Sequence, residues 1–71
     1  MAGYGHVERY VDTNREWRWR AVAGNGETVA DSAEGYEQVQ DLDHGLDVLA
    51  RILTGGTRDA SAAEIRTVGT T

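Results

Sequence analysis

Asn25-Gly26, set between two stretches whose side chains alternate in size and polarity, constrains this chain more than any other feature. An Asn-Gly pair between alternating runs is the strongest short-range hairpin signal, because a tight reversal needs residues that tolerate positive φ. A two-residue type I′ loop would set the register: Gly24 opposite Glu27, Val22 opposite Val29, Ala21 opposite Ala30, Arg20 opposite Asp31, and Trp19 over Ser32. Side chains alternate between the faces of a strand. Trp17, Trp19, Ala21 and Ala23 therefore share one face, and Arg18, Arg20 and Val22 share the other. On the charged face, Arg20 and Asp31 are expected to form a cross-strand ion pair.

The same reasoning extends in both directions. Gly5 to Asp12 places Val7, Arg9 and Val11 against His6, Glu8 and Tyr10, the alternation of a half-buried strand. Asp12-Thr13-Asn14-Arg15 is a turn cluster in which Asn14 suits a left-handed conformation. From about Gln38 the period changes. Val39, Leu42, Leu46, Leu49 and Leu53 recur at steps of three and four, flanked by Val48 and Ile52, which predicts an amphipathic helix of about four turns. Glu37, Asp41 and Asp43 come early and Arg51 late, each favourable with the helix dipole, and Gly55-Gly56 supplies the C-terminal stop. Gly45 lies on the apolar side, where its missing Cβ would admit a Trp of the sheet. Thr57 to Ala62 is a polar linker, and Ala63 to Val68 alternates as a fourth strand. The expected fold is α+β: a β3-α-β unit with an antiparallel sheet and one helix packed on one face.

Composition bears on whether such a unit can stand alone. The 71 residues include no Cys and no Phe, and the two His are far apart, so neither disulfides nor a zinc set can supplement a small core. The remaining common route to stability is oligomerisation. Residues 1–71 are read as a single domain with an ordered core of about 6–68, and Met1 to Gly5 and Gly69 to Thr71 as frayed ends. Twelve carboxylates face seven Arg and no Lys, giving a net charge of −5. Excess carboxylate with Arg in place of Lys points to a halophilic, salt-accumulating cytoplasm; codon bias in a GC-rich genome is the alternative. No signal peptide or apolar run of membrane length is visible, so the expected location is cytoplasmic.

Trp17-Arg18-Trp19-Arg20, the Asn25-Gly26-Glu27 turn, Ala30 and Ser32, and Glu34-Gly35-Tyr36 together resemble the small YegP-like domains of unknown function. Gly45-Leu46 followed by Leu49 matches the later helix motif of that family, and the resemblance spans about Val7 to Leu53. It implies a β3-α-β unit that occurs in tandem or as two identical subunits, sharing one continuous antiparallel sheet and exchanging C-terminal strands. With one repeat present, it implies a homodimer. Arg9 stands where relatives usually carry an apolar residue and Ala21 where they often carry Leu, which thins the core around the first two strands.

Three groupings carry candidate chemistry. Aromatics interleaved with Arg in Trp17 to Arg20 suggest nucleic-acid binding, but strand geometry sends the rings and the guanidiniums to opposite faces. The net charge of −5 also opposes phosphate binding, so nucleic acid is not the expected partner. Asp41, Asp43, His44 and Asp47 invite a metal reading, yet a solvated acidic helix face is the plainer account and no metal is expected. His6, near the chain end, is expected to be exposed. Ser32, Glu34 and Tyr36 precede the helix, where they either form a binding lip or shape the turn and anchor it to the sheet. No nucleophile and base grouping or phosphate-loop motif occurs. The expectation is a non-enzymatic homodimeric domain without a cofactor, a module for binding another protein in an acidic, halophilic cytoplasm. The alternative is nucleic-acid or small-anion binding through Arg18, Arg20 and the loop from Ser32 to Tyr36.

Overall fold

Two hairpins of one design build the first half of the chain. In the computed structural model, which describes residues 4–69, β1 (Gly5–Val11), β2 (Trp17–Ala23) and β3 (Thr28–Asp31) are consecutive antiparallel strands. Of the frayed ends expected at Met1 to Gly5 and Gly69 to Thr71, residues 1–3 and 70–71 lie outside the described residues; Gly5 already opens β1. In the first hairpin Arg15 N–H donates to Asp12 C=O and Asp12 N–H to Glu16 C=O; in the second Gly26 N–H donates to Ala23 C=O and Ala23 N–H to Glu27 C=O. Each loop thus has three residues with the third in the left-handed region, Arg15 at φ 63° and Gly26 at φ 91°.

This corrects two expectations. The second loop is not a two-residue type I′ turn, and the left-handed residue of the first loop is Arg15 rather than Asn14. Val22 consequently pairs with Thr28, and Val29 is the extra residue of a β-bulge, after which Ala21 meets Ala30 and Arg20 meets Asp31 as expected. One additional loop residue and one bulged residue cancel, so the far end of the register is retained. Ser32 N–H then donates to Trp19 C=O at 2.9 Å, and the buried Ser32 Oγ accepts from Trp19 N–H at 3.1 Å.

The helix α1 (Val39–Thr54) follows, with Gln38 as its N-cap and Gly55 at φ 68° as its C-cap. Gly56 N–H donates to Arg51 C=O and Gly55 N–H to Ile52 C=O, closing the end in a Schellman arrangement. Leu42 and Leu46 descend from the helix onto Trp19, and Ala60 of a short 3₁₀ turn (Ala60–Ala62) completes the buried cluster. Val7, Trp17, Ala21, Tyr36, Leu49 and Ile65 pack around it. The close approach at Gly45 is made by Tyr36 and not by a Trp: a Cβ there would lie 2.8 Å from the Tyr36 hydroxyl.

The last strand, β4 (Ile65–Thr67), lies beside β1 of its own chain, giving the order β3-β2-β1-β4. Its pairing is parallel, Val7 with Ile65, Glu8 with Arg66 and Arg9 with Thr67, so the sheet is mixed rather than antiparallel. Two antiparallel steps make β3 run in the same direction as β1. A helical crossover returns the chain to the end where β3 began, so the strand after it must run parallel to β1.

Arg9 explains part of that placement. Its guanidinium donates from one terminal nitrogen to both Asp43 oxygens, at 2.8 and 2.9 Å, and from the other to Thr67 Oγ1 at 2.8 Å. This cation on the helix-facing side of the strand therefore ties β1 to the helix and to β4. Asp47 performs a similar task, its Oδ1 accepting from Ala60 N–H at 2.9 Å.

Candidate functional site

The face of the sheet turned away from the helix carries a ladder of opposite charges. Glu8 lies directly across from Arg20, and Tyr10 directly across from Arg18. Glu8 Oε1 accepts from Arg20 Nε at 2.7 Å, and the same carboxylate meets His6 Nε2 at 2.8 Å. The Arg20 guanidinium stacks over the Tyr10 ring, 4.6 Å from its centroid, a cation–π contact reinforcing the ion pair. Two expectations change. Arg20 pairs with Glu8 of β1 and not with Asp31, and His6 is half-buried in that contact rather than exposed.

Asp12 ends the ladder. Its Oδ1 accepts from the N–H groups of Asn14 and Glu16, and its Oδ2 accepts from Arg18 Nε. These contacts favour the ionised form. The Arg18 guanidinium first, and then the Glu16 N–H, hold the Asp12 carboxyl below its ordinary value. Glu8 is lowered likewise, first by its hydrogen bond with His6 and then by Arg20. The turn, its left-handed Arg15 and the start of β2 are therefore pinned by one carboxylate.

Of the residues singled out in the sequence, the structure brings Arg18 and Ser32 together: Arg18 also donates to Ser32 C=O at 3.4 Å. Ser32 itself extends the β2–β3 ladder, and Tyr36 exchanges two backbone hydrogen bonds with Trp17, at 2.7 and 2.8 Å. Both ends of the loop from Ser32 to Tyr36 are thus stitched to β2, and the Tyr36 ring reaches the helix at Gly45. Glu34 is exposed at the crest of the loop, and Arg20 stands apart with Glu8 and Tyr10. Arg18 and the loop form a scaffolded rim, and both Arg18 and the separate Arg20 are already matched to carboxylates. Among the described residues, no nucleophile with an adjacent base is assembled on this rim.

The helix acids are half structural and half solvated. Asp43 and Asp47 are half-buried and engaged as above, while Asp41 and His44 are exposed. Among the described residues, no three acidic or His side chains are grouped to hold a metal ion. No helix among them is long and apolar enough to cross a membrane. Sequence reasoning named Arg9 and Asp47 but missed what they hold together. Their partners lie far along the chain, and the only local signal was a cation in a position patterned for burial.

Comparison with known proteins falls on this same region. A family model described as a domain of unknown function (DUF1508) matches residues 12–49, the stretch from the Asp12 turn through the packed part of α1. Two UPF0339 proteins of Neisseria meningitidis, one from serogroup B and one from serogroup A, are each 41% identical over 44 residues, covering 62% of this chain and 77% of theirs. No solved structure matches the chain. The family match begins at the pinned turn and ends before the exposed end of the helix, the linker and β4. With more than half of its length inside that model, the chain belongs to the DUF1508 family of domains of unknown function.

Proposed function

We propose that this is a single-repeat, homodimeric YegP-like domain that works without catalysis, as a protein-interaction module in the cytoplasm. The thinness of the closed core carries this reading. Trp19, Leu42, Leu46 and Ala60 are the buried apolar residues among those described, and Leu42 alone is fully enclosed. A core of that size, with no disulfide, gains most from pairing with a second copy. Val48 and Ile52 stand one helical turn apart and exposed, forming an apolar ridge for such a contact. The outer edge of β3, all four residues exposed, is open to strand addition by another protein.

Exchange of the C-terminal strand fits the same reading. Strand β4 meets β1 through three residue pairs only and is reached across a linker that starts with Gly55 and Gly56, both at positive φ. A neighbouring copy could supply an identical strand to the same slot, the low-cost route to a dimer. The acidic, Lys-free composition accords with a salt-rich cytoplasm in which self-repulsion is screened. Nuclear Overhauser measurements on a mixture of labelled and unlabelled chains test the exchange. Contacts between Val7 of one chain and Ile65 of another are expected; contacts within single chains only would remove strand exchange.

A second reading, nucleic-acid or small-anion binding through Arg18, Arg20 and the 32–36 loop, draws on the contact between Arg18 and Ser32. It requires both guanidiniums to leave their carboxylate partners, which weighs against it. Oligonucleotide affinity that is unchanged by the Arg18→Ala/Arg20→Ala double substitution would eliminate this surface.

A further inference from the structure

Beyond the charged face and the sheet edges, the helix side of the molecule holds an open wedge of about 490 Å³. Its walls are Trp19 and Ala21 from the sheet, Leu49 and Leu53 from the second half of α1, and Ala60 and Ala62 from the linker. The wedge exists because the sheet and the linker present alanines where larger side chains would close the gap. Ala21 is decisive, since it lies on the helix-facing side of β2 beside the buried Trp19. The volume lies within the range of small-molecule sites, roughly 300–1,000 Å³. Three walls make the space concave, which suits a slender ligand better than a flat protein surface.

Charge identifies the ligand's polar end. Two ionisable residues line the wedge, Arg58 and Asp59. Asp59 is committed: its carboxylate caps the 3₁₀ turn through Ser61 N–H and Ser61 Oγ and lies 3.8 Å from Arg51. Arg58 is bound only through its backbone, to Thr54 Oγ1, and its guanidinium has no carboxylate partner among the described residues. An apolar trough with one unmatched cation is complementary to an apolar tail ending in an anion.

We infer that the wedge between the sheet, the second half of α1 and the linker binds an amphipathic carboxylate, an aliphatic chain with its carboxylate at Arg58. The tail covers Leu53 and Val29, which line the wedge and are otherwise exposed. This goes beyond the self-association proposed above: the helix ridge at Val48 and Ile52 is not part of the wedge, and where the C-terminal strand is exchanged the same wedge is closed by the identical linker and Ile65 of the neighbouring copy.

Titration of the full chain with decanoate, followed by amide and methyl NMR and by Trp fluorescence, tests it. Shifts should concentrate at Trp19, Leu49, Leu53 and Ile65. Octanoate should bind about fifteenfold more weakly, at about fourfold per methylene withdrawn from water. Arg58→Gln should lose about two- to fivefold in decanoate affinity while leaving decanol affinity unchanged. Ala21→Leu should fill the wedge and remove binding in a folded protein; Ala50→Leu, on the helix wall, provides the same block independently of the sheet. Equal binding of decanoate to both filled variants would overturn the site, and an unchanged decanoate-to-decanol ratio in Arg58→Gln would overturn the ligand class. Shifts at these positions on protein concentration alone, with none from decanoate, would mean that a second copy occupies the wedge and would equally overturn the proposal.

Discussion

The two halves of the single helix behave as different objects. The first half, to about Leu46, is an anchor: Leu42 is 0% and Leu46 5% exposed, Gly45 receives the Tyr36 ring, and Asp43 holds Arg9. The second half continues the same apolar period but has little beneath it, and Ile52 and Leu53 are 70% and 76% exposed. Periodicity is equal in the two halves, so the difference comes from what the sheet presents. Trp19 fills the space under the first half, whereas Ala21 leaves a wedge under the second. Amphipathic patterning thus records which face a helix buries, and the partner side chains decide how much of that face is closed. The half left open is where a small domain without disulfides has surface available for binding.

Substitutions that treat the halves unequally test this contrast. Leu42→Ala should have the largest effect, a loss of about 2–5 kcal/mol in urea or thermal unfolding, because a fully enclosed side chain is replaced by a cavity. A loss near that of an exposed site would mean that the first half is not the anchor. Gly45→Ala comes next. Helix propensity favours the change by about 1 kcal/mol, but the new Cβ would lie 2.8 Å from the Tyr36 hydroxyl and 3.3 Å from the carbon bearing it, so an overpacking cost of about 1–3 kcal/mol should offset or exceed that gain, for a net cost of up to about 2 kcal/mol. In a Tyr36→Phe background the penalty should shrink toward zero, and equal penalties in both backgrounds would break the link between helix and loop.

Acid provides a test on the opposite face. Asp12 and Glu8 both have folded values below their ordinary 3.8 and 4.5, so each contributes stability that is complete above those values. The contribution is lost as pH falls through the lowered folded values. Thermal midpoints measured from about pH 5 down to about pH 2 should therefore drop, and Asp12→Asn should flatten part of that fall. An acid slope identical in the variant would show that the turn is not held by this carboxylate. The smallest effect is expected in the second half of the helix. Leu53→Ala should change unfolding stability by no more than about 0.5 kcal/mol despite removing a large apolar side chain. A loss comparable to that of Leu42→Ala would erase the distinction between the halves.

Much of this arrangement was legible in the residues because it is local. The alternation around Asn25-Gly26 located both strands and sent Trp19 inward, and the shift to steps of three and four at Val39 located the helix. The loop type was misread because Asn-Gly serves a three-residue loop as readily as a two-residue one. The bulge at Val29 then restored the pairing of Arg20 with Asp31. What escaped was non-local. The partner of Arg20 depends on the register of β1, whose turn lacks a comparable signal, and the charge–charge pairing with Glu8 follows only from that register. Alternation from Ala63 to Val68 announced a strand without naming its neighbour, so the parallel placement beside β1 could not be read. The link from Arg9 to Asp43 and Thr67 required three distant segments to be placed at once.

The thin core under the anchored half is the ground on which self-association is proposed, since a chain that closes only part of its apolar surface would gain by joining a second copy through surface outside the wedge. Light scattering of the full chain at micromolar concentration, in low and high salt, measures this most directly. The account predicts a mass twice that of the 7.7 kDa chain. A cooperatively folded protein with the mass of one chain, in both salt conditions and at every concentration examined, would contradict it.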